Sequence, residues 1–147
     1  MDLLARRPHF RRELVNKLAQ RDYTQAEIES TLERLATQGL IDDKKLTEDV
    51  VRRRLERDPV GRRRLLGELQ RRGAPLEESL EALDTIFPEN DTDLARRIAN
   101  RWLERHSGPR ASLARHLERR GFSKRAIVTL LEELLPRDPF GASWLDP

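Results

Sequence analysis

Catalysis or metal binding requires titratable side chains that converge, and this sequence offers few candidates. The three histidines are His9, His106 and His116, and none lies three or four residues from another, the spacing that would place two on one helix face. We therefore expect no metal site from them. The absence of cysteine excludes disulfides, thiolate catalysis and zinc sites built from thiolates.

The adjacent carboxylates Asp42 and Asp43 are a second possible source of chemistry. They follow Gly39-Leu40-Ile41 at a predicted helix start, where negative charge is favoured by the helix dipole, so we assign them a structural role. The seven glycines are scattered singly, which excludes a glycine-rich phosphate loop, and no serine stands in a nucleophile-elbow pattern. The sequence thus predicts a protein that is not an enzyme and has neither metal nor cofactor.

Arginine is the residue type that could bind a charged partner. Of the 29 basic residues, 25 are Arg, whose planar donor fork suits phosphate or carboxylate. Residues 110–125 contain six Lys and Arg side chains and one acid, Glu118, so pairing within the helix cannot neutralise them. Two partners remain open, a phosphate backbone or an acidic protein surface. Because aromatic residues are nearly absent from the basic segments, we expect electrostatic contacts rather than base stacking.

Two sets of basic residues are candidates for contacting a polyanion. On α-helical wheels, Arg115 and Arg119 lie opposite Leu113 and Leu117, whereas Arg120 lies nearer the apolar stripe. The main set is Arg62, Arg63, Arg64, Arg71, Arg72, Arg110, Arg115, Arg119, Arg120, Lys124 and Arg125. The secondary basic patch is Arg7, Arg11, Arg12, Arg96 and Arg97.

The elements that position these residues form a repeat. Charge alternates in blocks: residues 52–72 hold nine basic and three acidic side chains, residues 75–93 hold seven acids and no Lys or Arg, and residues 96–125 hold ten bases and two acids. A shift of about fifty residues superposes the blocks and places Arg72-Gly73 on Arg120-Gly121. Only 37% of the 147 residues are hydrophobic, which favours several thin cores over one thick core.

Each full repeat reads as three helices. Thr24 with Glu27 forms a capping-box pattern, Ser123 is the predicted N-cap of the last helix, and Gly73 and Gly121 end helices. No run alternates with the period of a strand. The sequence predicts an all-α fold, an elongated array of tandem three-helix, helix-turn-helix-like repeats with about eight helices.

The predicted boundaries give three repeats and a tail. They are residues 1–41, whose opening helix around Leu3 and Leu4 is truncated, residues 42–89, residues 90–135, and an irregular tail over residues 136–147. Phe140 and Trp144 of the tail either dock on the last helix or anchor a partner. With no apolar run long enough to span a membrane and no secretory signal, we expect a cytoplasmic protein.

Several strings, in this order and spacing, resemble the bacterial RecX regulatory family over about residues 3–135. They are Arg6-Arg7-Pro8, Glu13-Leu14, Leu18, Gly39-Leu40-Ile41-Asp42-Asp43, Leu46, Val50, Arg53, Gly61-Arg62, Leu65, Glu68-Leu69, Arg72-Gly73, Leu117, Arg119-Arg120-Gly121-Phe122-Ser123 and Ile127. The family's fold is a curved array of tandem three-helix units, in agreement with the repeat.

The resemblance implies a non-enzymatic modulator, and most simply an inhibitor, of RecA recombinase in recombinational DNA repair and the SOS response. Such proteins lodge in the groove of the RecA–single-stranded-DNA filament and restrain its growth, ATP hydrolysis, strand exchange and co-protease activity. The implied partners are the RecA filament and single- or double-stranded DNA, contacted mainly through phosphates by a monomer. Two alternatives stay open: a sequence-tolerant DNA-binding protein, and a helical scaffold that binds a protein through acidic third-helix faces such as Glu77, Glu78, Glu81 and Asp84.

Overall fold

Eight helices and no strand make up the described part of the chain in the computed structural model, which describes residues 7–88 and 90–136. The helices are α1 (Arg11–Gln20), α2 (Gln25–Thr37), α3 (Asp43–Arg57), α4 (Arg62–Arg72), α5 (Leu76–Ile86), α6 (Thr92–Arg105), α7 (Arg110–Arg119) and α8 (Lys124–Leu134). The predicted all-α fold is confirmed. The expectations for the opening stub at Leu3 and Leu4 and for Phe140 and Trp144 concern residues outside the described ranges.

The chain divides into two compact units. The first consists of Met1–Arg57 and Leu65–Phe87, and the second of Asp58–Arg64 and Pro88–Pro147. Within the first unit α1 packs on α2 and α3 packs on α5, and within the second unit α6, α7 and α8 pack on one another pairwise. The predicted repeat boundaries at residues 41, 89 and 135 stay a prediction.

Side-chain caps start several helices where the sequence predicts them. The Thr24 hydroxyl accepts from the Glu27 amide at 3.2 Å, and the Glu27 carboxylate accepts from the Thr24 amide at 3.1 Å. The Ser123 hydroxyl accepts from the Ala126 amide at 3.2 Å. Each cap supplies an acceptor for an amide that the first helical turn leaves unpaired. The capping box and the Ser123 cap are thus confirmed.

Small hydroxyl residues let two helices of the first unit approach closely. Thr47 of α3 and Ser79 of α5 are fully buried, and their hydroxyls donate to the carbonyls of Asp43 at 2.6 Å and Pro75 at 2.7 Å. Each hydroxyl is satisfied within its own helix, so its burial leaves no unpaired donor. The first unit also contains a core rich in leucine. The buried cluster at α1 and α2 consists of Leu14, Leu18, Ile28, Leu32, Leu35 and Ile41.

Part of the leucine content of α5 is not buried. Leu76 and Leu80 are 54% and 38% exposed, whereas Ser79, Ala82 and Leu83 are buried. The buried face of α5, a helix that packs on α3, therefore contains two small side chains beside one leucine.

A close backbone approach organises the second unit. The Gly61 amide donates to the Arg120 carbonyl at 2.6 Å, and a Cβ on Gly61 would lie 2.2 Å from the Gly121 carbonyl oxygen. Gly121 has a φ of +89°, and a Cβ on it would lie 2.4 Å from that of Arg64. Glycine is therefore required at both positions, first for space and at Gly121 also for the left-handed backbone that ends α7. We call this contact the glycine junction.

Replacing Gly61 by Ala should destabilise the protein strongly, by about 2 kcal/mol or more, because the new methyl group meets backbone that cannot move aside. Gly67→Ala is the matched control. Gly67 lies inside α4, where a Cβ would meet only the end of the Arg71 side chain at 3.6 Å. There we expect stabilisation by up to about 1 kcal/mol. Urea unfolding of the three proteins measures both effects, and equal stabilities would show that the junction is not rigid.

His9 of the first unit is a buried histidine that the fold keeps neutral. Its Nδ1–H donates to the Arg7 carbonyl at 2.8 Å, and its Nε2 accepts from Lys17 Nζ at 3.1 Å. Burial lowers the pKa of His9 below its ordinary value of 6.5, and the positive charges of Arg7 and Lys17 lower it further, against the opposing effects of the Arg7 hydrogen bond and Glu13. A protonated ring would also lose the acceptor for Lys17.

The lowered pKa of His9 makes folding stability depend on pH. Near and below pH 6.5 the unfolded chain binds a proton at His9 more readily than the folded chain does. The contribution of His9 to the free energy of unfolding is therefore fully present above that pH and is lost as the pH falls below it. We expect His9→Gln to flatten this acid-side decline in the free energy of unfolding. His116, retained in both proteins, contributes equally to each. An unchanged slope in the variant would assign the decline to other groups.

Candidate basic binding surface

The glycine junction gathers much of the main basic set within the second unit. Residues 62–64 are the first turn of α4, residues 119–121 are the last residue of α7 and the two that follow it, and residues 124–125 begin α8. All three segments belong to the second unit, and the first two are in direct contact through Gly61, Arg64 and Gly121. These segments carry seven cations and no carboxylate: Arg62, Arg63, Arg64, Arg119, Arg120, Lys124 and Arg125.

Three of these arginines are engaged by the protein itself. Arg120 donates to the Asp58 carboxylate at 2.7 Å, and Arg64 donates to the Arg119 carbonyl at 3.3 Å. Arg62 is half-buried and also has an interaction within the protein. Arg120 therefore joins the end of α7 to the segment before α4, and its packing along the apolar stripe stays a prediction.

Five other cations of the predicted set in the second unit are exposed and have no carboxylate partner among the described residues. Arg63, Arg119, Lys124 and Arg125 are exposed, and none makes an ion pair with a carboxylate of the described residues. Arg115 is exposed one turn before Arg119 on α7, and within the described ranges its guanidinium donates only to the Ser112 hydroxyl, at 3.4 Å. We call these five residues the open basic surface. Their charge faces water, which makes it available to an anionic partner.

Two of the three other predicted residues in the second unit form hydrogen bonds within that unit. Arg96 donates to Glu133 at 2.8 Å and also to Asp93, and these hydrogen bonds raise the pKa of the guanidinium. Arg110 is half-buried and donates to the Leu135 carbonyl, which holds the start of α7 against the end of α8. Arg97 is exposed.

In the first unit, two arginines of the predicted sets share one carboxylate. Arg7 lies 2.9 Å from Glu13, and Arg72 lies 3.4 Å from the same side chain. Arg72 also donates to the Pro8 carbonyl at 3.0 Å and lies over the Phe10 ring at 5.2 Å from its centroid. These contacts give Arg72 a place in the packing of this unit.

The other three predicted residues of the first unit are exposed at the surface: Arg11, Arg12 and Arg71. Asp43 is half-buried and accepts from the Arg11 amide at 2.9 Å, while Asp42 accepts from the Lys45 amide at 3.1 Å. The acidic pair therefore binds helix-start amides. Burial raises the pKa of Asp43, against the lowering effect of the hydrogen bond from Arg11.

Sequence reasoning missed a cluster of rings in the second unit. Trp102 stacks on His106 with 4.7 Å between ring centroids and 10° between planes, and it also contacts His116 at 6.0 Å and 29°. The four-residue spacing from Trp102 to His106 was the available signal. It was overlooked because the histidines were tested for spacing only against one another.

Among the described residues, no group of three His, Asp or Glu side chains is arranged to hold a metal ion. None of the helices there has the length and apolar character needed to cross a bilayer.

Comparison with known proteins agrees with the helical repeat. The family model described as "RecX, first three-helix domain" matches residues 1–35. Over 71 residues, the chain is 42% identical to Regulatory protein RecX of Chlorobium phaeobacteroides strain BS1, covering 48% of this chain and 47% of the relative. The corresponding protein of Halorhodospira halophila is 46% identical over 71 residues, 48% of this chain and 44% of the relative.

Solved structures extend the similarity to most of the chain. The crystal structure of RecX from Lactobacillus salivarius has a TM-score of 0.71 and 26% identity and covers 90% of both chains. The chain is thus similar to RecX proteins in sequence over about half of its length and in fold over most of it. A second RecX crystal structure has a TM-score of 0.74 at 24% identity, covering 89% of this chain and 67% of that one. The alignments to the curated RecX relatives span about half of each protein's length.

The Arg120–Asp58 pair provides a test of which arginines serve the fold. The two side chains are 26% and 56% exposed, so water screens the pair and we expect a coupling energy of about 0.2–1 kcal/mol in a double-mutant cycle with Arg120→Gln and Asp58→Asn. Arg119→Gln, the neighbouring control, should change the free energy of unfolding by less than about 0.5 kcal/mol. A larger loss of unfolding free energy in Arg119→Gln would show that the Arg119 side chain also stabilises the fold.

Proposed function

We propose that this protein is a non-enzymatic inhibitor of RecA that binds in the groove of the RecA–single-stranded-DNA filament. There it restrains filament growth, ATP hydrolysis, strand exchange and co-protease activity. Similarity to RecX proteins, whose curated members are named regulatory proteins, supports a regulatory role. The RecA filament is the target that the RecX resemblance implies.

The open basic surface is the observation on this chain that carries the proposal. A nucleoprotein filament presents regularly spaced phosphates and acidic protein patches, and exposed arginines without carboxylate partners are suited to both. Arg115 and Arg119 occupy one face of α7, and Lys124 and Arg125 open α8 in the same unit. Several weak ionic contacts at neighbouring points would combine through effective concentration into firm binding. We propose that phosphate contacts dominate, with little selectivity for sequence.

The test is RecA ATPase activity on single-stranded DNA, measured while the protein is titrated. We expect suppression at substoichiometric protein, because one bound molecule would affect many filament subunits. A triple variant, Arg115→Gln, Arg119→Gln and Arg125→Gln, should require a higher concentration for the same suppression. No effect of the wild-type protein on ATPase or strand exchange would reject the proposal.

A matched control carries the same change in net charge on the first unit. Arg21, Arg34 and Arg57 are exposed and lie outside both predicted basic sets, so replacing them by Gln should leave suppression unchanged. Equal weakening in the two triple variants would show that net charge alone acts. In direct binding to single-stranded DNA, the first triple variant should reduce the slope of log affinity against log salt by about 2, since each lost phosphate contact contributes about 0.7.

The competing DNA-binding function is distinguished in the same experiments. A protein that acts only through DNA would bind duplex tightly without RecA at physiological salt and would show a steep salt dependence. Its effect on RecA would then disappear when the DNA is in large excess.

A further inference from the structure

The ring cluster of the second unit is not explained by charge or by core packing. Trp102 and His106 lie one turn apart at the end of α6, just before the loop that leads to Pro109. Their planes are nearly parallel, 10° apart, at a centroid distance of 4.7 Å. His106 is exposed, so the stack continues to the protein surface.

Two hydrogen bonds fix the orientation of the outer ring. The His106 backbone amide donates to the Trp102 carbonyl at 2.9 Å, and the ring Nδ1–H donates to the same oxygen at 3.0 Å. The loop folds back beside the indole, since a Cβ on Gly108 would lie 3.7 Å from Trp102 Cη2. The imidazole therefore loses little further freedom if a planar ligand stacks on it, which favours binding.

Cationic residues adjoin this stack along the chain and on α7. Arg105, next to His106 in the chain, is exposed. His116 contacts the indole from α7, and Arg119 follows it by about one turn on the same helix. Burial lowers the pKa of His116, and the charges of Arg120 and Arg119 lower it further. Arg119 is also part of the open basic surface, so the rings and the candidate phosphate-binding side chains belong to one region of the second unit.

We propose that the Trp102–His106 stack is a platform for one unpaired base of single-stranded DNA, with the adjoining phosphates bound by Arg105 and Arg119. Aromatic rings beside a basic surface bind unpaired bases because every base offers a π-face, and duplex DNA keeps its bases stacked inside. The platform thus confers a preference for single strands that phosphate contacts alone would not. The proposal rests on the polyanion binding proposed above, but it concerns DNA without RecA.

The fluorescence of Trp102 can report directly whether a base stacks at this site. The chain has two tryptophans, and Trp144→Phe leaves Trp102 as the sole indole. In this background, adding a short oligothymidylate should quench Trp102 fluorescence. His106→Ala should weaken binding of that strand about five-fold or more, as measured by fluorescence anisotropy of a labelled strand. An abasic strand of equal length keeps the phosphates and lacks the bases. It should bind the Trp144→Phe protein with and without His106→Ala equally.

Two further variants separate stacking from damage to the fold and from loss of charge. His106→Phe retains a planar ring and should restore affinity for the oligothymidylate, whereas Arg119→Gln should weaken binding of both strands. Binding without a change in Trp102 fluorescence, or equal weakening of both strands by His106→Ala, would overturn the platform. So would an absence of binding at low salt. The RecA ATPase titration is independent of these results and decides the inhibitor proposal by itself.

Discussion

Backbone contact at the glycine junction is the constraint on which the second unit depends. The Gly61 amide reaches the Arg120 carbonyl at 2.6 Å, a distance that no side chain at Gly61 or Gly121 would permit. The contact brings the segment before α4 against the end of α7. The geometry of a backbone hydrogen bond is narrowly defined. The contact therefore also fixes the backbone positions from which the neighbouring arginine side chains extend.

The first unit contains a related contact at equivalent repeat positions. Arg72, the repeat counterpart of Arg120, donates to the Pro8 carbonyl, and Gly73, the counterpart of Gly121, has a φ of +106° and lies against the Arg12 side chain. At the ends of α4 and α7, an arginine and the glycine that follows it contact the chain at or just before the start of another helix. That helix is α1 in the first unit and α4 in the second. The Arg-Gly pairs that mark the repeat are therefore packing residues, and the neighbouring arginines remain available to a partner.

The basic segments therefore contain two kinds of arginine, which the sequence alone does not distinguish. Arg72, Arg96, Arg110 and Arg120 each bind a carboxylate or a carbonyl of the same unit, so their charge is used within the fold. Arg115, Arg119, Lys124 and Arg125 do not form ion pairs with described carboxylates. The ring stack at Trp102 belongs to the same unit and adds an aromatic surface of different chemistry.

Helical periodicity, caps and helix-ending glycines, as at Thr24, Ser123 and Gly121, are local properties, so the sequence by itself determined the helices, the repeat and the family resemblance. Tertiary structure alone decided which arginines are engaged, because Asp58 lies 62 residues from Arg120 and Glu133 lies 37 from Arg96. It also decided that Leu76 and Leu80 face water, since the close packing of α3 on α5 is not encoded in the periodicity of α5. Pairing between distant residues depends on how helices pack, and no local pattern records that arrangement.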